Sequence, residues 1–454
     1  MRCTRGPILY SPMPGGIQRI GRRTFLLTLA ALGLPRPPLG APAAAPAVVR
    51  ERAASGLTVL VRENPTAPVV AVSLQVRMGR RWERPETAGI SNLLQQVLVK
   101  GTTRRSALEI AEAGEGIGGS LGASGDTDFS EIRGTALARH WRELLELIAD
   151  VALRPTFPPG EIESERRPIL SQIQSRQDQP FPFALDTLLQ TLYGPHPYGL
   201  PGLGLRDIVE RLDQAALLAH YRRHYRGDRM VLAVSGQVPA RAVLDEVSRI
   251  FGDLAGGTGE ADPPQPIRPP EPSRRVVERP AAQAQVLFGY LVPALTHTDY
   301  PAVKVLSALL GGGMAARLFA ELRDRQGLAY VVGAFYPSRR DASHFVIHMG
   351  TAPANLARAE EGIAREVERI RTEPASPEEV RRAKAYLLGA LALDRRTNAR
   401  EAWYMAFFEV EGVGHDFLDR YVARVEAVTS DDIRRVAQTY LASPTIVALR
   451  PSPR

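Results

Sequence analysis

Apolar and polar positions follow the same order twice along this 454-residue chain. Near the start of each pass stands a β-rich run, Val69-Val70-Ala71-Val72-Ser73-Leu74-Gln75-Val76 and later Gln285-Val286-Leu287-Phe288-Gly289-Tyr290-Leu291. A helical pattern comes next, Ile90 to Val99 and Pro301 to Leu310, and then a long helix opening in an acidic turn, 160–176 and 376–394. The second long helix carries a full start signal. Ser376 is placed to cap it, Pro377 takes the first position and Glu379 the third, a capping box. Each pass closes on a helix running into a strand: Ala215–Tyr225 then Met230–Val234, and Asp431–Tyr440 then Ile446–Leu449. Between the passes, residues 252–274 are rich in Gly and Pro and nearly free of apolar side chains, so they read as an extended linker. The pattern predicts an α+β protein of two homologous domains, each a mostly antiparallel sheet packed with helices, at 48–251 and 275–454.

Charge changes the picture only at the N-terminus. The chain carries 57 Lys+Arg against 49 Asp+Glu, a net of +8, which would invite an anionic partner. Six of those charges, Arg2, Arg5, Arg19, Arg22, Arg23 and Arg36, lie in the first 49 residues, which hold no acidic residue, and the remainder is nearly balanced. No nucleic-acid partner is expected. Residues 1–47 read as an export signal. Arg22-Arg23-Thr24-Phe25-Leu26-Leu27 is a twin-arginine pair leading into an apolar run too short to span a bilayer, and small residues from Ala41 to Ala47 offer cleavage sites. A periplasmic protein is therefore expected, by the twin-arginine route or by an ordinary secretory one. The single cysteine, Cys3, lies inside that segment, which leaves the rest without a disulfide or thiolate chemistry.

Gly89-Ile90-Ser91-Asn92-Leu93-Leu94-Gln95-Gln96-Val97-Leu98-Val99-Lys100-Gly101-Thr102 closely resembles the pitrilysin/insulinase family of zinc peptidases. His196-Pro197-Tyr198-Gly199 and the segment from Tyr221 to Gly236 are similar to that family's first domain. Gly311-Gly312-Gly313-Met314, Arg317-Leu318-Phe319 and Gly327-Leu328-Ala329-Tyr330 are similar to its second. The size matches its half-length dimeric members. Active members carry H-x-x-E-H on the helix matching 90–99, with two histidines on one helical face for Zn²⁺ and a Glu that activates the zinc-bound water. A further Glu ligand comes from the long helix. The resemblance places Asn92, Gln95, Gln96 and Gln172 at these four positions, all neutral amides, and a neutral amide is a poor zinc ligand and no base. Pro168, four residues before Gln172, is expected to bend the long helix. No intact H-x-x-E-H or H-E-x-x-H occurs anywhere in the chain. The chain is thus expected to hold no metal or other cofactor, with Zn in a partner subunit.

The resemblance implies further roles in the second half. Arg323 and Tyr330 match a pair aimed at the substrate, Arg for a peptide carbonyl or carboxylate and Tyr for the oxyanion of a tetrahedral intermediate. It also implies that peptide is held as an added strand along about Ser120 to Phe129, with Leu121, Gly122 and Ala123 at its centre. Family members usually place Asn after that Leu, where this chain has Gly122. Two other histidine pairs, His220/His224 and His344/His348, are read as surface or packing residues, the first in a water-facing stretch. Three functions follow. The first is a non-catalytic subunit that completes a zinc-bearing paralogue's chamber around a peptide substrate. The second is a zinc-free scaffold or peptide-binding protein. The third is a hydrolase with a relocated metal site.

Overall fold

The computed structural model describes residues 47–257, 265–268 and 271–452, so the expected export signal falls outside the described residues, Ala47 apart. The first half contributes strands β1 (Val48–Arg52), β2 (Thr58–Glu63), β3 (Val69–Val76), β4 (Ser120–Gly125), β5 (Ser130–Leu137) and β6 (Met230–Gly236). Its helices are α1 (Ile90–Leu98), α2 (Ala107–Gly116), α3 (Trp141–Leu153), α4 (Pro159–Asp178), α5 (Pro180–Tyr193), α6 (Arg206–Val209), α7 (Gln214–His224) and α8 (Ala240–Ile250). The second half contributes β7 (Ser273–Pro280), β8 (Ala284–Val292), β9 (Val331–Phe335), β10 (Ser343–Thr351) and β11 (Thr445–Ser452). Its helices are α9 (Tyr300–Gly311), α10 (Leu356–Thr372), α11 (Pro377–Asp394), α12 (Asn398–Val410), α13 (Phe417–Ala427) and α14 (Ser430–Tyr440).

The two sheets have one topology. Strand order is β1-β2-β6-β3-β5-β4 in the first and β7-β11-β8-β10-β9 in the second. Without β1 the orders superimpose. In each, one pair is parallel, β2 with β6 and β7 with β11, and every other pair is antiparallel. A chain with two unrelated halves has no reason to repeat the place of a parallel pair, so the sheet order supports the duplication read from the pattern. The inner strands are the apolar runs. β6, Met230-Val231-Leu232-Ala233-Val234-Ser235-Gly236, is buried throughout because it has a neighbour on each side and helices on both faces.

The helix that follows each long helix packs on the opposite half's sheet. α5 lies against β8 and β11, where Leu188 sits so close to Gly289 that a Cβ there would meet its Cδ2 at 2.9 Å. Ala184 and Leu188 form one buried cluster with Leu287, Val346, Val447 and Leu449. α12 in turn lies against β3 and β6. Asn398 Oδ1 accepts from Asn64 Nδ2 at 2.8 Å and from Ser235 Oγ at 3.2 Å, Gln75 Nε2 donates to the Trp403 carbonyl at 3.2 Å, and Phe407 packs edge-on to Phe129 at 5.4 Å. The halves are therefore interlocked by exchanged helices rather than strung on a linker. The linker itself is tied down in part: Gln265 donates from Nε2 to the Arg81 carbonyl at 3.0 Å.

The expected capping box is present, with Glu379 N donating to Ser376 Oγ and Ser376 N to Glu379 Oε2. α4 runs as one helix from Pro159 to Asp178 with Pro168 inside it. Its flanking residues Arg167 and Arg166 find acceptors elsewhere, on the Glu163 and Leu212 carbonyls.

Candidate functional site

α1 is set by its N-terminus. Gly89 has φ +100, and a Cβ there would meet Val209 Cγ2 at 2.8 Å, so the position admits glycine alone. The buried Glu83 carboxylate accepts from Gly89 N at 2.8 Å and Ser91 N at 2.9 Å, satisfying two free N–H groups of the first turn, while burial pushes its carboxyl up. Ile90, Leu93, Leu94, Val97 and Leu98 then pin the helix to the sheet.

Three of the four amides lie on α1, which packs on α4 and α7, and the fourth lies on α4. Gln95 is 0% exposed; its Nε2 donates to Tyr225 Oη at 2.8 Å and its Oε1 has no partner. Asn92 and Gln96 are half-buried on α1, and Gln172 is exposed on α4, which packs on α1 and is tied to its end by Lys100–Glu165 at 2.8 Å. These residues do not fit a zinc ion. None offers an imidazole or carboxylate, Gln95 is committed to Tyr225, and no group of three or more His, Cys, Asp or Glu able to hold a metal occurs among the described residues.

His220 and His224 adjoin this centre, which corrects the water-facing expectation. His224 is 1% exposed, wedged edge-on to Trp82 at 5.9 Å, with Nδ1 3.2 Å from the Arg77 carbonyl. His220 Nε2 lies 3.1 Å from Ser91 Oγ, and the two rings are 4.5 Å apart. Burial lowers their pKa to about 4 and about 2, so both are neutral packing groups. α7 turned inward because Leu217, His224 and Tyr225 form its apolar stripe, leaving Arg222 and Arg223 exposed. His344 and His348 are packing groups too: Tyr193 Oη is 2.9 Å from His344 Nδ1, and Phe181 is 4.8 Å from the His348 ring.

β4 is an outer strand of the first sheet, paired on one side only, with Leu121 opposite Gly134, Gly122 opposite Arg133 and Ala123 opposite Ile132. It ends at Gly125, short of the expected Phe129, because Asp126–Asp128 turn the chain into β5. That end touches α1: a Cβ on Gly125 would lie 3.5 Å from Gln95 Cγ. A Cβ on Gly122 would meet nothing closer than Arg133 Nη2 at 3.7 Å, so packing does not demand the glycine.

In the second half, Arg323 lies in a π-helical turn, Phe319–Arg325. Its guanidinium rests over the Phe319 ring at 4.6 Å and is exposed. The nearby acid Glu321 is taken by Arg325 at 2.8 Å and Gln326 at 3.1 Å, and among the described residues Arg323 has no ion pair, so its donors are free. Tyr330 is 59% exposed at the mouth of the outer strand β9, held by its N–H to the Gly350 carbonyl at 3.0 Å. α1 with β4, and Arg323 with Tyr330, thus lie in different halves.

Sequence reading missed the buried ionic joint between those halves. Arg81 Nε and Nη2 donate to Asp341 at 2.6 and 3.2 Å, and His196 Nε2 is 3.6 Å from the same carboxylate. Tyr198 donates to Asp128 and accepts from Asp341 N, while Arg339 reaches Asp126 at 2.8 Å. Burial opposes the charge on Asp341, but His196 and Arg81 hold its carboxyl below the usual range. The only signal was His196-Pro197-Tyr198, and the partners of Tyr198, Asp128 and Asp341, stand 70 and 143 residues away.

Comparison with known proteins places this geometry. A family model described as insulinase (peptidase family M16) matches residues 58–204, and one described as the peptidase M16 inactive domain matches 211–387. That second description covers the half bearing Arg323 and Tyr330, whereas three of the amide replacements on α1 and the fourth on α4 lie under the first. An uncharacterized zinc protease of Bacillus subtilis, YmxG, is 26% identical over 395 residues, 87% of this chain and 96% of its own length. An uncharacterized zinc protease of Mycobacterium bovis is 29% identical over 418 residues, 90% of this chain and 94% of its own. The crystal structure of a peptidase M16 inactive domain from Pseudomonas fluorescens has a TM-score of 0.82 at 22% identity, covering 90% of this chain and 98% of that one. That of a protease from Helicobacter pylori has a TM-score of 0.83 at 23% identity, covering 89% and 100%. The chain belongs to the M16 insulinase/pitrilysin peptidase family, as a half-length member whose described residues include no group of three or more His, Cys, Asp or Glu able to hold a metal.

Proposed function

We propose that this chain is the non-catalytic subunit of a heterodimeric zinc metallopeptidase. It closes half of the peptide chamber and supplies Arg323 and Tyr330 to the zinc centre of a paralogous subunit. One observation carries the reading: the metal-and-base positions are amides, Gln95 among them locked onto Tyr225, while Arg323 stands exposed, unpaired and propped on Phe319. The free outer strand β4 supports peptide capture by strand addition, with Leu121, Gly122 and Ala123 offering backbone groups. The twin-arginine segment supports export, so the complex is assigned to the periplasm. No described helix is long and apolar enough to cross a membrane.

The test is reconstitution with a zinc-bearing paralogue. Arg323→Ala combined with Tyr330→Phe should lower peptide turnover by the partner while the two chains still co-elute. If the double variant leaves kcat and KM untouched, the chain is a scaffold. If the chains never associate and cleavage is unaltered, the heterodimer is wrong.

A further inference from the structure

One titratable group stands outside everything described so far. The chain has three lysines, Lys100, Lys304 and Lys384. Two are conventionally paired, Lys100 with Glu165 at 2.8 Å and Lys384 with the Glu426 carbonyl at 2.7 Å at the surface. Lys304 is different. It projects from α9, the second half's counterpart of α1, between the buried residues Val303 and Val305, and is itself half-buried. Its Nζ donates to the Tyr336 carbonyl at 2.7 Å and lies 4.8 Å from the Tyr336 ring and 5.2 Å from the Tyr300 ring. The hydroxyls of those rings are turned elsewhere, Tyr336 to the Pro293 carbonyl at 2.6 Å and Tyr300 to Ser338 Oγ at 2.6 Å. Among the described residues no carboxylate reaches Lys304 as an ion-pair partner.

We propose that Lys304 is a modification site, a nucleophilic amine that forms an imine with small aldehydes at neutral pH. An ammonium here has one strong acceptor for three N–H groups and no counter-ion, so the neutral amine is the better occupant. Burial is the main cause and the like-charged Arg339 on the β9–β10 connection the second; together they lower its pKa to about 7. The two tyrosine faces favour the cation, but a cation–π contact contributes only about 0.5–2 kcal/mol and does not replace a carboxylate. The lone pair adds to the carbonyl carbon of the aldehyde, giving a carbinolamine. One N–H proton passes to the carbonyl oxygen in that addition, and loss of the resulting hydroxyl with the nitrogen's one remaining proton, as one water, leaves C=N. The step needs no oxidant or reductant, and hydrolysis reverses it.

Formaldehyde with cyanoborohydride, which reduces the imine and fixes it as a methylamine, is the probe. The full chain is treated at pH 7 and the peptides carrying each lysine are followed by mass spectrometry. Lys304 should be modified about tenfold faster or more than Lys100 and Lys384, since a lysine of ordinary pKa is less than about 0.1% neutral at pH 7. Equal rates, or a Lys304 that lags the other two, overturn the proposal. Lys304→Arg should abolish the fast adduct. A second variant guards against a folding defect: Ser307→Asp places a carboxylate three residues along the same helix. It should slow Lys304 at least threefold and leave Lys100 and Lys384 as they were. An unchanged Lys304 rate in that variant also counts against the proposal.

Discussion

Asp341→Asn tests whether the buried ionic joint holds the halves together. Arg81 and Asp341 are each 2% exposed, and the carboxylate accepts from Arg81 at 2.6 and 3.2 Å. Asparagine keeps the shape but takes this carboxylate's charge away from a desolvated guanidinium. Breaking one side of such a pair costs about 3–5 kcal/mol, far more than an exposed pair would. The isolated chain should therefore unfold in urea at a distinctly lower midpoint. Trp82 provides the reporter, since the Arg81 guanidinium stands 5.1 Å from its ring and its fluorescence reads this joint directly. The companion variant Arg81→Met/Asp341→Leu removes both charges. It should recover most of the loss, because the penalty is an orphaned charge and not a missing attraction. The pH dependence has a fixed sign. The Asp341 carboxyl is held below its ordinary value, so its contribution is present above the unfolded value of about 4 and disappears as pH falls through the folded one. The wild-type advantage over Asp341→Asn should be full at pH 7 and shrink below about pH 4. A loss under about 1 kcal/mol at pH 7, or a double variant as weak as the sum of the singles, would refute the reasoning.

The exchanged helices predict that residues 47–257 and 271–452, expressed apart, are insoluble or unfolded by circular dichroism but recover a folded complex when co-expressed. Leu188→Ala, which empties the contact over Gly289, should destabilise the chain by about 2–5 kcal/mol in urea unfolding. Phe319→Leu should weaken the Arg323-dependent part of turnover in the reconstituted heterodimer, with Phe319→Tyr close to wild type; identical kinetics for both would remove the ring from the argument. His220, neutral in the fold with a pKa lowered to about 4, contributes stability that is complete above about pH 6.5 and is lost as pH falls toward 4. His220→Phe should flatten that part of the stability–pH curve. Metal analysis of the dialysed chain should find well under one Zn²⁺ per molecule, and a chelator should leave its thermal midpoint unchanged.

The sequence disclosed what is local. β3 and the capping box of α11 fall where the pattern puts them, because alternation and end signals need only neighbours a few residues away. What it could not disclose depends on distant partners. Nothing in Pro180–Tyr193 says that this helix crosses to β8, since an amphipathic stripe names an apolar face and not the sheet that covers it. The inward turn of His224 was hidden for the same reason. Arg222 and Arg223 gave the stretch a polar look, while Trp82, which meets the His224 ring, lies far upstream of it in sequence. The amide quartet was legible by type, but the Gln95–Tyr225 bond was not, and that bond decides how the vacated centre is filled.

That bond also explains why the loss could be confined to one half. A helix that gives up metal ligands leaves polar groups in a closed space, and each unmet one costs about 1–3 kcal/mol. Here Gln95 Nε2 is answered by Tyr225 Oη, Gln172 faces water, and Gln95 Oε1 and His224 Nε2 are left without a partner. Glu83 still caps α1, and Lys100–Glu165 still ties it to α4, so the helix stands without an ion. The exposed Arg323 and Tyr330 of the second half are not needed to hold up the fold. Stability therefore places no demand on that pair. If a reconstituted complex slows when both are changed while the unfolding midpoint of this chain stays put, the pair is kept for a substrate at another chain's centre.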